Sequence, residues 1–155
     1  MSDPLTRRAL LGLALPALLA ACGANVAATS SAGLHSGETP QLRALVQKYA
    51  QIYDIPESLI HRVIQRESGY NPRARNGPYY GLMQILPATA HTMGYTGTAS
   101  GLLDAETNLK YAGKYLRGAW LLSRGSQDRA VSWYARGYYY EAKRRGMLEE
   151  TGLRT

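Results

Sequence analysis

One glutamate, Glu67, lies in a helical pattern where its neighbours are apolar. Ile60, Val63 and Ile64 precede it at helical spacing, so its carboxylate extends an apolar stripe and lies at the edge of a core. Burial disfavours the charged form of a carboxyl group and raises its pKa, which keeps the proton available near neutral pH. The position therefore predicts a general acid of the kind that glycosidases use. A glutamate at a helix end that points to water would give the same pattern.

Other kinds of chemistry have little support in the sequence. Of the three histidines, His35 lies in the low-complexity segment before the domain, and His61 and His91 are isolated and lack the spacing of metal ligands. The single cysteine, Cys22, is far along the chain from any histidine that could activate it. The sequence contains no glycine-rich phosphate loop. We therefore expect no metal, no cofactor and no thiol nucleophile.

The elements that must position Glu67 are helices. Beyond Thr39, apolar residues recur at steps of three and four, and no stretch alternates in the way typical of strands. Thr39 and Asp104 are predicted N-caps, and loops are expected from Asn71 to about Tyr80 and from Gly94 to Gly101. The predicted helices cover about residues 40–53, 56–67, 87–93, 105–124, 128–134 and 141–148. The sequence thus predicts a mainly α, single domain.

The N-terminus has the features of an export signal. Arg7 and Arg8 precede an apolar run from Ala9 to Ala21, which is shorter than the roughly 20 residues that span a bilayer. Leu-Ala-Ala-Cys, ending at Cys22, resembles a bacterial lipobox, in which the cysteine is lipid-modified and becomes the mature N-terminus. An ordinary signal peptide that leaves a spare cysteine and a buried N-terminal helix are the alternatives, and the two arginines leave the twin-arginine export route open.

Four segments follow from these patterns. Residues 1–21 are predicted to be a lipoprotein-type signal peptide, and residues 22–38 a lipidated Cys22 with a flexible tether rich in Ala, Ser, Thr and Gly. The folded domain is expected over residues 39–150, with a short tail at 151–155. The formal net charge of +7 favours a polyanionic partner, for which peptidoglycan, nucleic acid and anionic lipid are all candidates on charge alone.

Several short motifs follow one another in a characteristic order. Residues 67–72 read ESGYNP, residues 81–85 read GLMQI, residues 87–90 read PATA, and residues 113–116 read GKYL. Together they resemble the catalytic domain of the soluble-type lytic transglycosylases, relatives of goose-type lysozyme. Each motif alone is weak, but the ordered set is specific and the resemblance covers about residues 42–140. It implies a compact lysozyme-like helical domain with a substrate cleft.

The resemblance also implies the site and the reaction. Glu67 matches the catalytic acid/base, Ser68, Met83 and Gln84 match residues that line the cleft, and Tyr134 matches a tyrosine close to the catalytic carboxyl. In the family, the glutamate protonates the oxygen between N-acetylmuramic acid and N-acetylglucosamine. It then accepts the proton of the muramic C6 hydroxyl, which gives a 1,6-anhydro product without water. The implied partner is the peptidoglycan glycan strand rather than nucleic acid.

The sequence departs from the family in the block around Tyr134. The family reads Ala-Tyr-Asn-Ala-Gly, whereas this chain has Ala135 in place of the Asn and Arg136 in place of the following Ala. This change keeps open a non-catalytic lipoprotein that binds peptidoglycan, and a lysozyme-type hydrolase is a second alternative. A hydrolase would need a second carboxylate, for which the sequence offers Asp104, Glu106, Asp128 and Glu141.

The same resemblance, with the export signal, implies a place in the cell. We expect a periplasmic lipoprotein held in a membrane, with the outer membrane favoured, through a lipid on Cys22. An envelope-spanning secretion machinery is a further partner that the sequence leaves open.

Overall fold

The structure is a computed structural model that describes residues 33–154. The predicted signal peptide, Cys22 and most of the predicted tether lie outside the described residues. Within them the chain is mainly α-helical, which confirms the predicted fold class.

Six α-helices, two very short strands and one 3-10 helix make up the described part of the chain. The helices are α1 (Pro40–Tyr53), α2 (Glu57–Glu67), α3 (Pro87–Thr92), α4 (Ala105–Ser123), α5 (Gln127–Arg136) and α6 (Tyr139–Arg144). The strands β1 (Arg75–Asn76) and β2 (Tyr79–Tyr80) form an antiparallel hairpin, and the 3-10 helix spans Ala99–Leu103.

The predicted N-caps are confirmed. The Thr39 side chain accepts a hydrogen bond from the Leu42 amide at 3.2 Å, and Pro40 occupies the first position of α1. The Asp104 carboxylate accepts from the Thr107 amide at 2.8 Å at the start of α4. Such caps satisfy amides that have no partner inside the helix, so both helices begin where the sequence predicts.

Helix α4 is the centre of the domain. It packs mainly against α5 and α1, and α2 packs on both of those helices. Its buried face carries Leu109, Ala112, Leu116 and Ala119, all completely buried. Leu59, Ile60, Val63 and Ile64 form the buried face of α2, as their spacing predicts. Because this face is fixed in the core, the C-terminal end of α2 is held in a fixed position, and Glu67 is its last residue.

Three local predictions are wrong. The loop predicted from Asn71 to Tyr80 contains the β1–β2 hairpin, and the second predicted loop ends in the 3-10 helix at Ala99–Leu103. Strands of two residues are too short to show alternation. The last helix runs over Tyr139–Arg144 instead of residues 141–148, because Gly146 adopts a left-handed backbone with φ 70° and the Met147 amide turns back to the Ala142 carbonyl.

Across residues 33–154, every helix is too short or too polar to cross a membrane.

Candidate active site

Glu67 lies at the edge of the core, as its place in the apolar stripe of α2 predicts. Its side chain is 23% exposed, and its Oε1 is 3.5 Å from Nε of Arg66. Burial raises the pKa of Glu67 above its usual value, and the nearby positive charge of Arg66 lowers it only in part. The carboxyl group therefore holds its proton to a higher pH than an exposed glutamate does.

A cleft opens beside Glu67. Near the carboxylate it is lined by Arg66, Asn76, Tyr79, Gln84, Tyr134 and Ala135. It continues past Gln84 and Tyr134 along Leu86, Thr89, Tyr115 and Arg136. The lining residues come from α2, α4 and α5, from the β1–β2 hairpin and from the start of α3. Glu67 thus faces an open groove with rings and hydroxyls along its walls, a surface that suits a sugar polymer.

Gln84 lines this cleft in an unusual backbone conformation. Its φ is 50°, a left-handed value that costs a non-glycine residue of the order of 1–3 kcal/mol. Its side-chain amide donates to the carbonyls of Gly81 at 2.9 Å and Ala74 at 3.1 Å, which fixes the orientation of the amide. Its Oε1 is buried and accepts no hydrogen bond from residues 33–154. Gln84 therefore lines the cleft as a rigid side chain.

Ser68 and Met83 were predicted to line the cleft, and the structure places both elsewhere. Met83 is completely buried, so its side chain belongs to the core. The Ser68 hydroxyl donates to the Leu82 carbonyl at 2.7 Å and ties the end of α2 to the segment that carries Gln84. Neither residue is among those that line the cleft. Both residues therefore fix the structure around the cleft and do not line it.

Tyr134 lines the cleft and also holds it together. It lies on α5, and its hydroxyl donates to the Met83 carbonyl at 2.8 Å. Burial raises the pKa of Tyr134 well above its usual value, and the charge of Glu67 raises it further. The structure therefore brings Glu67, Gln84 and Tyr134 together around one cavity.

Asn108, which belongs to a motif of the resemblance at residues 104–109 but was not predicted as a site residue, holds the segment that carries Gln84. This fully buried side chain accepts from the Met83 amide at 2.9 Å and donates to the carbonyls of Tyr80 and Leu102, each at 2.8 Å. Gly81 leaves the room for it, since a Cβ there would lie 2.2 Å from Asn108 Nδ2. The sequence signal for Asn108 is an amide side chain within the apolar stripe of α4, since a buried polar side chain needs hydrogen-bond partners. Tyr79 and Asn76 in the hairpin were also missed as cleft residues.

The four residues considered as a second carboxylate are engaged outside the cleft. Asp104 caps α4, Glu106 pairs with Lys48, Asp128 pairs with Arg62, and Glu141 pairs with Arg144 and Arg145. Among the described residues that line the cleft, Glu67 is the one carboxylate.

The prediction that His61 is isolated is wrong, because His35 lies against it. Their rings lie 4.7 Å apart, and potential ligand atoms of His35, Glu38 and His61 come within 4.8 Å of one another. These atoms already have partners. His61 Nδ1 and the Tyr70 hydroxyl are 2.7 Å apart, His35 Nδ1 and the Gln65 amide are 3.0 Å apart, and Glu38 accepts two hydrogen bonds from Arg43. The arrangement is a satisfied polar network, and the guanidinium on Glu38 makes it unsuitable for a cation.

Comparisons with known proteins identify the family of the chain. The chain is 37% identical over 92 residues to a protein of Haemophilus influenzae (strain PittEE) named membrane-bound lytic murein transglycosylase C. That alignment covers 54% of this chain and 25% of the relative, so the chain spans about a quarter of the relative's length. The family described as the transglycosylase SLT domain matches residues 44–146, which include every helix from α2 to α6 and all the residues that line the cleft. The chain therefore belongs to the family of transglycosylase SLT domains.

Proposed function

We propose that this chain is a peptidoglycan lytic transglycosylase. It cleaves the β-1,4 bond between N-acetylmuramic acid and N-acetylglucosamine without water and leaves a 1,6-anhydro end. The observation that carries the proposal is Glu67, a partly buried carboxyl group with a raised pKa in an open cleft of an SLT-family domain. The name of the Haemophilus relative supports the same activity.

One carboxyl group serves both proton transfers in the proposed reaction. Protonated Glu67 donates its proton to the glycosidic oxygen as the bond to the muramic C1 breaks, while the N-acetyl group of the substrate stabilises the positive charge. The resulting carboxylate then accepts the proton of the muramic C6 hydroxyl while the oxygen of that hydroxyl attacks C1. This step regenerates the acid. The lining of the cleft supports this route, because a hydrolase with a flanking pair would need a second carboxylate.

Gln84 is proposed to orient the substrate beside Glu67. It lines the cleft there and is 8% exposed. Its two hydrogen bonds to backbone carbonyls hold the amide in one orientation before the substrate binds, so little side-chain entropy is lost on binding. Tyr134, Ser68 and Asn108 keep its segment in place.

The proposal is tested by digestion of purified peptidoglycan sacculi, with the products identified by mass spectrometry. We expect anhydro-muropeptides from the unmodified protein and a loss of at least about a thousandfold in rate with Glu67→Gln, which cannot donate the proton. Glu149→Gln, a change of the same type at an exposed position, is the matched control. Products with reducing ends would establish the hydrolase instead, and binding without products would establish a non-catalytic protein.

We further propose that the protein is an envelope protein attached to a membrane through lipidated Cys22. The apolar run before Cys22 and the name of the membrane-bound relative support this. Cys22→Ala should move the protein from the membrane fraction to the soluble fraction and abolish labelling with a fatty acid. Retention in the membrane would overturn the anchor. Outer-membrane sorting and recruitment by a secretion machinery stay predictions.

A further inference from the structure

A cationic depression lies directly beside the cleft, between α2 and α5. Its lining includes Arg62, Arg66, Asp128, Ser132, Ala135 and Arg136. Arg66 and Ala135 line both the depression and the part of the cleft that holds Glu67, so the two surfaces are continuous. A group attached to a sugar in the cleft can therefore reach the depression.

The charge in the depression is only partly compensated. Asp128 is bound to Arg62, with Nη2 and Oδ1 2.5 Å apart. The Arg136 guanidinium has no carboxylate within 4.0 Å among residues 33–154. It is held instead over the Trp133 ring, 3.9 Å from the ring centre. Stacking on an aromatic face leaves the edge of a guanidinium free to form paired hydrogen bonds with a carboxylate.

Arg66 adds to this charge when the site is ready to react. Its nearest carboxylate is Glu67, at 3.5 Å. The proposed reaction starts from protonated Glu67, a form that burial favours, and a protonated carboxyl group does not neutralise Arg66. Arg66 and Arg136 thus give the depression a net positive charge next to the reacting bond.

We propose that this depression binds a carboxylate of the peptide stem on the muramic acid residue, with Arg136 as the main contact, so that the site selects glycan strands that carry their peptides. The inference rests on the proposed function. The stem is attached to the sugar whose bond is cleaved, and its free carboxylates complement the charge of the depression. Ala135 has a small side chain at the junction, which leaves the path from the cleft to Arg136 open.

The test compares two forms of one substrate: glycan strands with peptide stems, and the same strands after an amidase has removed the stems. We expect Arg136→Gln to lower the ratio of kcat/KM on peptide-bearing strands to kcat/KM on denuded strands by about tenfold, as the loss of a charge-assisted hydrogen bond predicts. Arg136→Lys keeps the charge but cannot form the paired hydrogen bonds of a guanidinium, so it should lower this ratio less than Arg136→Gln does. Lys143→Gln removes one charge from an exposed position and should leave the ratio unchanged.

Arg136 also lies in the last turn of α5, where a cation stabilises the helix dipole. A purely structural role would change both rates equally or change neither, and an unchanged ratio overturns the proposal. Binding gives a second measurement without turnover, in which the Glu67→Gln variant is compared with the double variant that also carries Arg136→Gln. The double variant should bind the peptide-bearing disaccharide about tenfold more weakly, with no such loss for the bare disaccharide. If the proposed function itself is wrong, the unmodified protein will cleave neither the peptide-bearing nor the denuded strands.

Discussion

At the scale of single residues, the proton of Glu67 is controlled by two opposing effects. Burial raises its pKa and Arg66 lowers it in part, and burial is the larger effect. The first step of the proposed reaction needs the protonated form. Activity should therefore persist above the usual pKa of a glutamate and fall as the pH rises through the elevated value.

Arg66→Gln should move this alkaline limit to higher pH. Removal of the positive charge 3.5 Å from the carboxylate removes the effect that lowers the pKa, so the acid form persists further into the alkaline range. The measurement is the pH dependence of kcat/KM on denuded glycan strands, which reports the free enzyme. Lys143→Gln controls for the loss of one charge from the protein. An alkaline limit that stays in place, or moves to lower pH, would contradict the assigned role of Arg66.

The sequence predicts the catalytic candidate better than its surroundings. Glu67 can be found because a carboxylate on an apolar helical stripe has a clear physical meaning. Ser68 and Met83 occupy motif positions, but a motif does not distinguish a side chain that touches the substrate from one that fixes a neighbouring loop. Ser68 bonds to the Leu82 carbonyl and Met83 is buried, and both facts depend on tertiary contacts far apart in sequence.

At the scale of elements, the site depends on how one short segment is fastened between helices. Residues 80–85 close on themselves, because Tyr80 and Ile85 exchange backbone hydrogen bonds at 3.1 Å. Ser68 at the end of α2, Tyr134 on α5 and Asn108 on α4 each bond to the backbone of this segment. Three helices thus set the position of Gln84 in the cleft.

Asn108→Ala should cost about 3 kcal/mol in the free energy of unfolding, since it leaves the Met83 amide and two carbonyls without their partner. Activity should fall as well, because the segment that carries Gln84 loses its attachment to α4. The measurement is denaturant unfolding beside a rate assay. Lys110→Ala, at an exposed position on the same helix, should change stability by no more than about 0.5 kcal/mol. A cost for Asn108→Ala below about 1 kcal/mol would mean that the segment is held by its other contacts.

The helices could be predicted and the connections between them could not. Helices α1, α2 and α4 carry long periodic stripes with caps or prolines at their starts, so their limits are visible in the sequence. The β1–β2 hairpin has two residues per strand, and its place follows from packing against the segment that carries Gln84. Tyr138 shows the same dependence at α6, since its buried hydroxyl bonds to the Tyr115 carbonyl and fixes where the helix begins.

At the scale of the whole molecule, residues 33–38 lie against the domain. The Glu38 side chain is fully buried, pairs with Arg43 and accepts a hydrogen bond from the His35 amide at 2.9 Å. Burial acts to raise the pKa of Glu38, but these hydrogen bonds outweigh it, so the pKa lies below its usual value. The His35 ring stacks on Tyr70, just beyond the end of α2. These contacts connect the segment before α1 to the helix that carries Glu67.

Gly37→Ala tests whether this docking contributes to stability. Gly37 has a φ of 82°, and a Cβ there would lie 2.6 Å from the Gly69 carbonyl oxygen, which is backbone and cannot move aside easily. Gly33 is the matched control, because its φ of 88° is similar but a Cβ there meets nothing within 4 Å. Both alanine variants carry the left-handed strain of about 1 kcal/mol, and only Gly37→Ala adds the clash.

We therefore expect Gly37→Ala to lower the free energy of unfolding by about 1–2 kcal/mol more than Gly33→Ala does. The difference between the two variants cannot exceed the free energy with which residues 33–38 dock on the domain, because this segment can detach to relieve the clash. Denaturant unfolding gives the two costs, and hydrogen exchange at the His35 and Glu38 amides reports detachment directly. Equal costs for the two variants, with both amides still protected, would mean that the domain accommodates the added methyl group and that the close approach of Gly37 to Gly69 is not tight in solution.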